Sequence, residues 1–206
     1  MVFRLFSSIL GLIFCSQAVA SEAGALRSYI SASYVDVTGD YTSSGTINDI
    51  DFDGYALGGL FYLDTLDGEL TPIVVIQHTD LQGSTTNLQT ENTAVAVGFA
   101  LGGVDYAEGL GNEFQFFASL DDESSSNFNF KGIFGLGGGA SLYAGYYTNV
   151  SDDLIDTASG ISTGLDFGVT ENVILSAEYM NEDADFKDGG KLEGRTWSVG
   201  FKYFLD

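Results

Sequence analysis

Along the stretch Arg195 to Leu205, Trp197, Val199, Phe201, Tyr203 and Leu205 fall on one parity, and Ser198, Gly200 and Lys202 fall on the other. This is the period of a β-strand with one apolar face. The alternation recurs upstream. Tyr55, Leu57, Gly59, Phe61 and Leu63 oppose Gly54, Ala56 and Gly58, and Thr93, Val95, Val97, Phe99 and Leu101 oppose Asn92, Ala94, Ala96 and Gly98. Ile161, Thr163, Leu165, Phe167 and Val169 alternate with Ser162, Gly164, Asp166 and Gly168. The opposing set is small or polar each time. A sheet in water would bury its large residues and present charges on that second face. A face of Gly, Ala and Ser instead fits the tight interior of a closed barrel whose large residues meet lipid. A soluble sandwich is the competing reading, because periodicity alone does not name the medium.

The turns set the strand number. Asp64 to Gly68, Gly102 to Asn112, Gly137 to Gly139, and Thr170 to Asn172 carry the glycine or asparagine that tight turns need. Longer polar connections alternate with them: Thr38 to Asp49, Asp80 to Thr90, Asp121 to Asn127, Asn149 to Ser159, and Asn181 to Gly194. Five long loops and four short turns predict an all-β fold, a closed antiparallel transmembrane β-barrel of ten strands, with eight as the alternative. Each strand is expected to run roughly 9–11 residues, enough for a tilted crossing. Both termini then lie at the short-turn end. The first strand is the least regular, because Tyr29, Ile30, Tyr34 and Val35 do not keep one parity.

Composition agrees: 27 glycines and 27 tyrosines and phenylalanines accompany a single proline. Residues 1–20 differ in kind. Arg4 precedes an apolar run, Leu5 to Cys15, too short to span a bilayer, and Ala18-Val19-Ala20 reads as a cleavage site, so residues 1–20 are expected to be a secretory signal peptide and 21–206 the barrel domain. Cys15 is the only cysteine, so the remaining chain has no disulfide. The formal net charge of −22 becomes one unit more negative without Arg4. Such a surface repels phosphates and argues against a nucleic-acid partner.

The hairpin from Asp166-Phe167-Gly168-Val169-Thr170-Glu171-Asn172-Val173 to Tyr179, with Val199-Gly200-Phe201-Lys202-Tyr203-Phe204-Leu205, resembles the closing hairpin of small porin-like outer-membrane barrels related to OmpA and OmpX. The resemblance implies a location in the outer membrane of a Gram-negative bacterium, with lipid and lipopolysaccharide around a monomeric barrel. It also implies that Trp197, Val199, Phe201, Tyr203 and Leu205 form the signal read by the barrel-assembly machinery. Leu205 stands where the family places a terminal aromatic, and Asp206 adds a residue beyond it.

Candidate chemistry is sparse. Asp49, Asp51, Asp53 and Gly54 match the opening of a calcium loop, but its twelfth position is Leu60 rather than a bidentate Glu. An EF-hand is excluded and a looser divalent-cation site is the remaining reading, beside a plain solvated strand entrance. The groups Asp121-Asp122-Glu123, Asp152-Asp153-Asp156 and Glu182-Asp183-Asp185 read as a solvated external rim, with cation bridging to lipopolysaccharide phosphates as the functional alternative. His78 is the only histidine and no serine stands at a recognisable spacing, so neither enzymatic activity nor a cofactor is expected. On the inward parity, Lys131, Asp166, Glu178 and Lys202 are expected to pair across a narrow lumen. Two roles follow, a structural plug or a narrow channel for small solutes. An adhesive or ligand-binding surface on the acidic loops, and a lipid-modifying enzyme using His78, are the other function classes.

Overall fold

The computed structural model describes residues 21–22, 25–26, 28–63, 70–84, 89–105, 108–120, 126–150 and 155–205. The expected signal peptide lies outside them, as do the Asp64 to Gly68 turn and Asp121, Asp122, Glu123, Asp152 and Asp153. Two short strands, β1 (Ser21–Glu22) and β2 (Ala25–Leu26), pair with each other. Ten strands follow: β3 (Tyr29–Ser43), β4 (Thr46–Tyr62), β5 (Leu70–Gly83), β6 (Gln89–Asp105), β7 (Leu110–Leu120), β8 (Ser126–Gly137), β9 (Ala140–Val150), β10 (Ile155–Gly168), β11 (Val173–Phe186) and β12 (Lys191–Phe204). Each pairs antiparallel with its chain neighbour, and β12 returns to β3 to close the barrel, with Trp197 opposite Asp36 and Lys202 opposite Ser31. Ten strands, not eight, form the wall.

Apart from β7 and β9, which have the expected 11 residues, the strands are longer than expected, reaching 17 in β4 and β6. The extra length lies in the segments read as long loops. Thr38 to Asp49 is almost entirely paired, and its only break is the two-residue turn Ser44-Gly45, both at positive φ (51° and 79°). Two left-handed residues match the twist of the flanking strands, as a tight hairpin requires. The acids made this run look like a loop. Yet its pairing runs on without a register shift, and the inward residues that flank it, Val35, Val37, Ile50 and Phe52, are buried at 8% exposure or less.

What changes along each strand is the direction of the pattern. Nearer the short-turn end, the outward residues are large and apolar: Leu57, Val97, Phe99, Leu165, Trp197 and Val199 are 45–62% exposed. Nearer the other end the outward residues become Asp36, Asp40, Asp51, Asp183 and Glu193, while the inward residues become apolar. An exterior of aromatic and aliphatic side chains is stable only in lipid, and an exterior of acids only in water. The inversion therefore marks where the barrel leaves the bilayer. Tyrosines stand at the crossover, where their rings lie against apolar neighbours and their hydroxyls reach up: Tyr34 donates to Asp53 (3.3 Å) and Tyr55 to Asp80 (3.2 Å). Beside them Tyr179 packs on Trp197 with ring centroids 4.6 Å apart.

Candidate functional site in the barrel lumen

The lumen is layered. At the short-turn end Tyr29, Leu60, Ile73, Ile133, Ile174 and Phe204 point inward and are 3% exposed or less. Phe204 meets Tyr29 edge to face at 5.8 Å. Both parities of β3 are therefore bulky, which explains its irregular pattern. A second apolar layer lies toward the opposite end, where Ile155, Phe186 and Leu192 are buried and Phe186 meets Tyr41 edge to face at 5.6 Å.

Between these layers lies a band of charge. The Lys202 ammonium donates to both oxygens of Asp166, each at 2.9 Å, with side-chain exposures of 1% and 0%. The two residues are on β12 and β10, and Ser176 and Gly200, which continue the row of Asp166 across β11 and β12, leave room for the lysine to cross. Lys131 lies with its ammonium 3.7 Å above the Tyr143 ring, and Lys202 is 5.4 Å from the same ring, so one aromatic face is shared by two cations. Tyr143 donates to Glu178 at 3.0 Å. All four charges singled out in the sequence therefore face this band.

Sequence reasoning missed the other half. Glu113 on β7 accepts from Tyr62 (2.6 Å) and from the Gln115 amide (2.7 Å), all inside the barrel. Higher up, Tyr147 donates to Glu182 at 2.7 Å. This contact repeats the Tyr143–Glu178 one, because Tyr143 pairs with Gly164 and Gly164 with Glu178, while Tyr147 pairs with Gly160 and Gly160 with Glu182. In each rung the tyrosine lies flat across the glycine of β10 to reach the carboxylate on β11. A Cβ on Gly164 or Gly160 would collide with the ring. The signal was present as a four-residue offset on three consecutive strands: Tyr143 and Tyr147, Gly160 and Gly164, Glu178 and Glu182. Glu182 belongs to the lumen, not to the rim where the sequence reading placed it.

Asp49, Asp51 and Asp53 share the outer face of β4 and are not in a loop. Alternate residues on an extended strand stand about 7 Å apart, too far for three carboxylates to converge on one cation. Among the described residues no group of three or more His, Cys, Asp or Glu side chains is gathered for a metal. Asp183 and Asp185 likewise sit on paired strand, and Asp156 lies at the register shift between Ile155 and Thr157. His78 faces outward on β5, with Nδ1 3.1 Å from the Thr93 hydroxyl and Nε2 3.8 Å from Glu91. The following Thr79 turns into the barrel, and Asp80 is held by Tyr55 and Gln89. In the proposed assembly signal, Trp197, Val199, Phe201 and Tyr203 face outward, whereas Leu205 lies past the end of β12 with its N–H donating to the Ser28 carbonyl at 2.8 Å.

A closed wall, an apolar exterior and a polar, side-chain-filled interior define a transmembrane β-barrel of the outer-membrane type. No family model matches the chain, and no curated protein matches it. Solved structures similar to it include Ail, the attachment invasion locus protein of Yersinia pestis, at 15% identity and TM-score 0.35, over 87% of this chain and 98% of that one. Neisserial surface protein A matches at 16% identity and TM-score 0.38, over 86% and 97%. The translocator domain of the autotransporter NalP from Neisseria meningitidis matches at 12% identity and TM-score 0.45, over 98% and 94%. The barrel itself follows from the strand pairing of this chain.

Proposed function

We propose that this protein is a bacterial outer-membrane barrel whose lumen is closed by its own side chains, so that it serves the envelope as a structural and surface-presenting element, with neither catalysis nor a cofactor. The observation that carries the reading is the Lys202–Asp166 pair: two opposite charges at 2.9 Å, in mid-lumen, with essentially no surface open to water. A conducting pore keeps its constriction charges hydrated so that ions can exchange their shells against them. Here Lys202 and Asp166 satisfy each other, and apolar layers lie above and below. Outer-membrane lipid and lipopolysaccharide are the surroundings that this reading requires. The barrel-assembly machinery would read the outward row Trp197 to Tyr203, and the barrel would stand as a monomer. Liposome swelling tests the closed lumen. Proteoliposomes should swell in small sugars no faster than protein-free vesicles, and swelling graded by solute size would replace this reading with a narrow channel.

A further inference from the structure

One row of paired residues on the outer wall runs through seven strands and changes character on the way. It begins in the apolar belt, where Val97 pairs with Ala118 and Ala118 with Phe128. Phe128 pairs with Thr148 on β9. Beyond β9 the row is polar: Thr148 pairs with Ser159, Ser159 with Asp183, and Asp183 with Glu193. The next row toward the short-turn end is bulkier, with Phe116, Phe130, Tyr146 and Ile161 all outward. Ala118, Thr148 and Ser159 are smaller than the residues of that lower row while Phe128 rises between the first two, and an open furrow lies on each side of Thr148. The arm over β6 to β9 has a volume of about 410 Å³ and is walled by phenylalanines. The arm over β9 to β12 holds about 350 Å³ and contains Thr157, Ser159, Asp183 and Glu193, with Lys191 paired to Asp185 at 3.2 Å. Tyr146 and Thr148 line both arms.

Strands in a barrel tilt, so a row perpendicular to them climbs the wall. This one climbs from the lipid belt to the water-facing extension. Each arm crosses three strand spacings, about 14 Å. Its occupant must be apolar along one such length and hydrophilic along the next, which describes a single amphiphile of the surrounding leaflet rather than a partner helix or strand. The head can be specified from the lining. Three carboxylates against one lysine repel a phosphate, whereas carboxylates and hydroxyls accept and exchange hydrogen bonds with sugar hydroxyls, and the Tyr146 ring at the junction offers a flat face. We infer that this oblique furrow binds a lipid with an unphosphorylated, hydroxyl-rich sugar head, its acyl chain in the phenylalanine-walled arm and its head between Ser159 and Glu193. The inference rests on the reading of the barrel as membrane-embedded.

The test uses the purified barrel in phosphatidylcholine nanodiscs doped with equal mole fractions of diglucosyl-diacylglycerol and phosphatidylglycerol, with native mass spectrometry counting the lipids retained on release. One glucolipid per barrel is expected, favoured over phosphatidylglycerol by roughly tenfold or more, as one hydrogen bond to a charged acceptor would give. Thr148→Phe, which blocks the junction, should abolish that retention, and Ala118→Phe provides the same test in the apolar arm. Asp183→Asn with Glu193→Gln should leave a lipid bound but remove the preference. Heat-modifiable gel mobility verifies that each variant is folded. Equal retention of the two lipids, retention unaffected by both furrow-filling variants, or a second copy of the chain covering the face would overturn the inference while leaving the membrane reading intact. A folded barrel that does not enter nanodiscs would overturn both.

Discussion

At the scale of single residues, the lumen is held by partners that cannot be removed singly. Lys202→Met strands Asp166 in a fully buried site, and the expected loss is about 3–5 kcal/mol of unfolding free energy. Adding Asp166→Leu should recover most of that loss, because two apolar side chains of similar volume replace the pair without leaving a charge. Denaturant unfolding of the lipid-reconstituted barrel, followed through Trp197, measures both; no recovery in the double variant would mean that the pair does more than neutralise itself. The Tyr–Gly–Glu rungs make a second case. Gly164→Ala puts a methyl group where the Tyr143 ring lies, so the ring must lift from Glu178 and from the Lys131 ammonium. Overpacking of this kind costs about 1–3 kcal/mol, and the same unfolding assay reads it. The same change at Gly45, where an added methyl would meet nothing within 4 Å but φ is +79°, tests backbone strain alone.

At the scale of the strand, the pattern that inverts partway along is the feature with most consequence. It was half legible. In the lipid-facing halves the large residues of β4, β6, β10 and β12 keep one parity, and the structure turns that parity outward. In the water-facing halves the same period continues with opposite polarity, and counting acids disguised paired strand as loop. Neither composition nor a hydropathy window separates these cases, because Thr38 to Asp49 is polar on average; only Val37 and Ile50, which flank it on the inward parity, betray the strand. The boundary is testable by charge. Leu165→Arg, facing lipid, is expected to destabilise by about 2–4 kcal/mol, while Glu193→Arg on the extension should change stability by less than about 1 kcal/mol. In a chain lacking Cys15, single cysteines at Asp51 and Asp183 should react with a water-soluble maleimide in intact vesicles, and cysteines at Leu57 and Val97 should not. Reaction at Leu57 would move the bilayer away from the belt.

At the scale of the whole molecule, ten strands make a wall that is closed and filled. The strand number was legible because each turn carries glycine or asparagine between alternating runs, and closure was legible because the inner parity is small at mid-strand. The filling was not. Tyr143, Tyr147, Glu113 and Glu182 lie on strands or stretches whose alternation sequence reasoning had not traced, and their roles depend on residues 35 to 51 positions away meeting across the barrel. Such contacts are set by shear and register, which no local window contains. The aspartates of β4 make the converse point, since their spacing resembles a ligand set in the sequence while the strand holds them about 7 Å apart along its outer face.

The proposed closed lumen predicts that no water path runs through the barrel. Single-channel recording in planar bilayers tests this most directly, with the wild type beside a Lys202→Ala, Asp166→Ala double variant that empties the middle of the lumen. The wild type is expected to give no steady conductance steps, and any small, well-defined steps should appear only in the emptied variant. Steady steps of defined size from the wild-type protein would contradict the closed lumen and establish a narrow channel in its place.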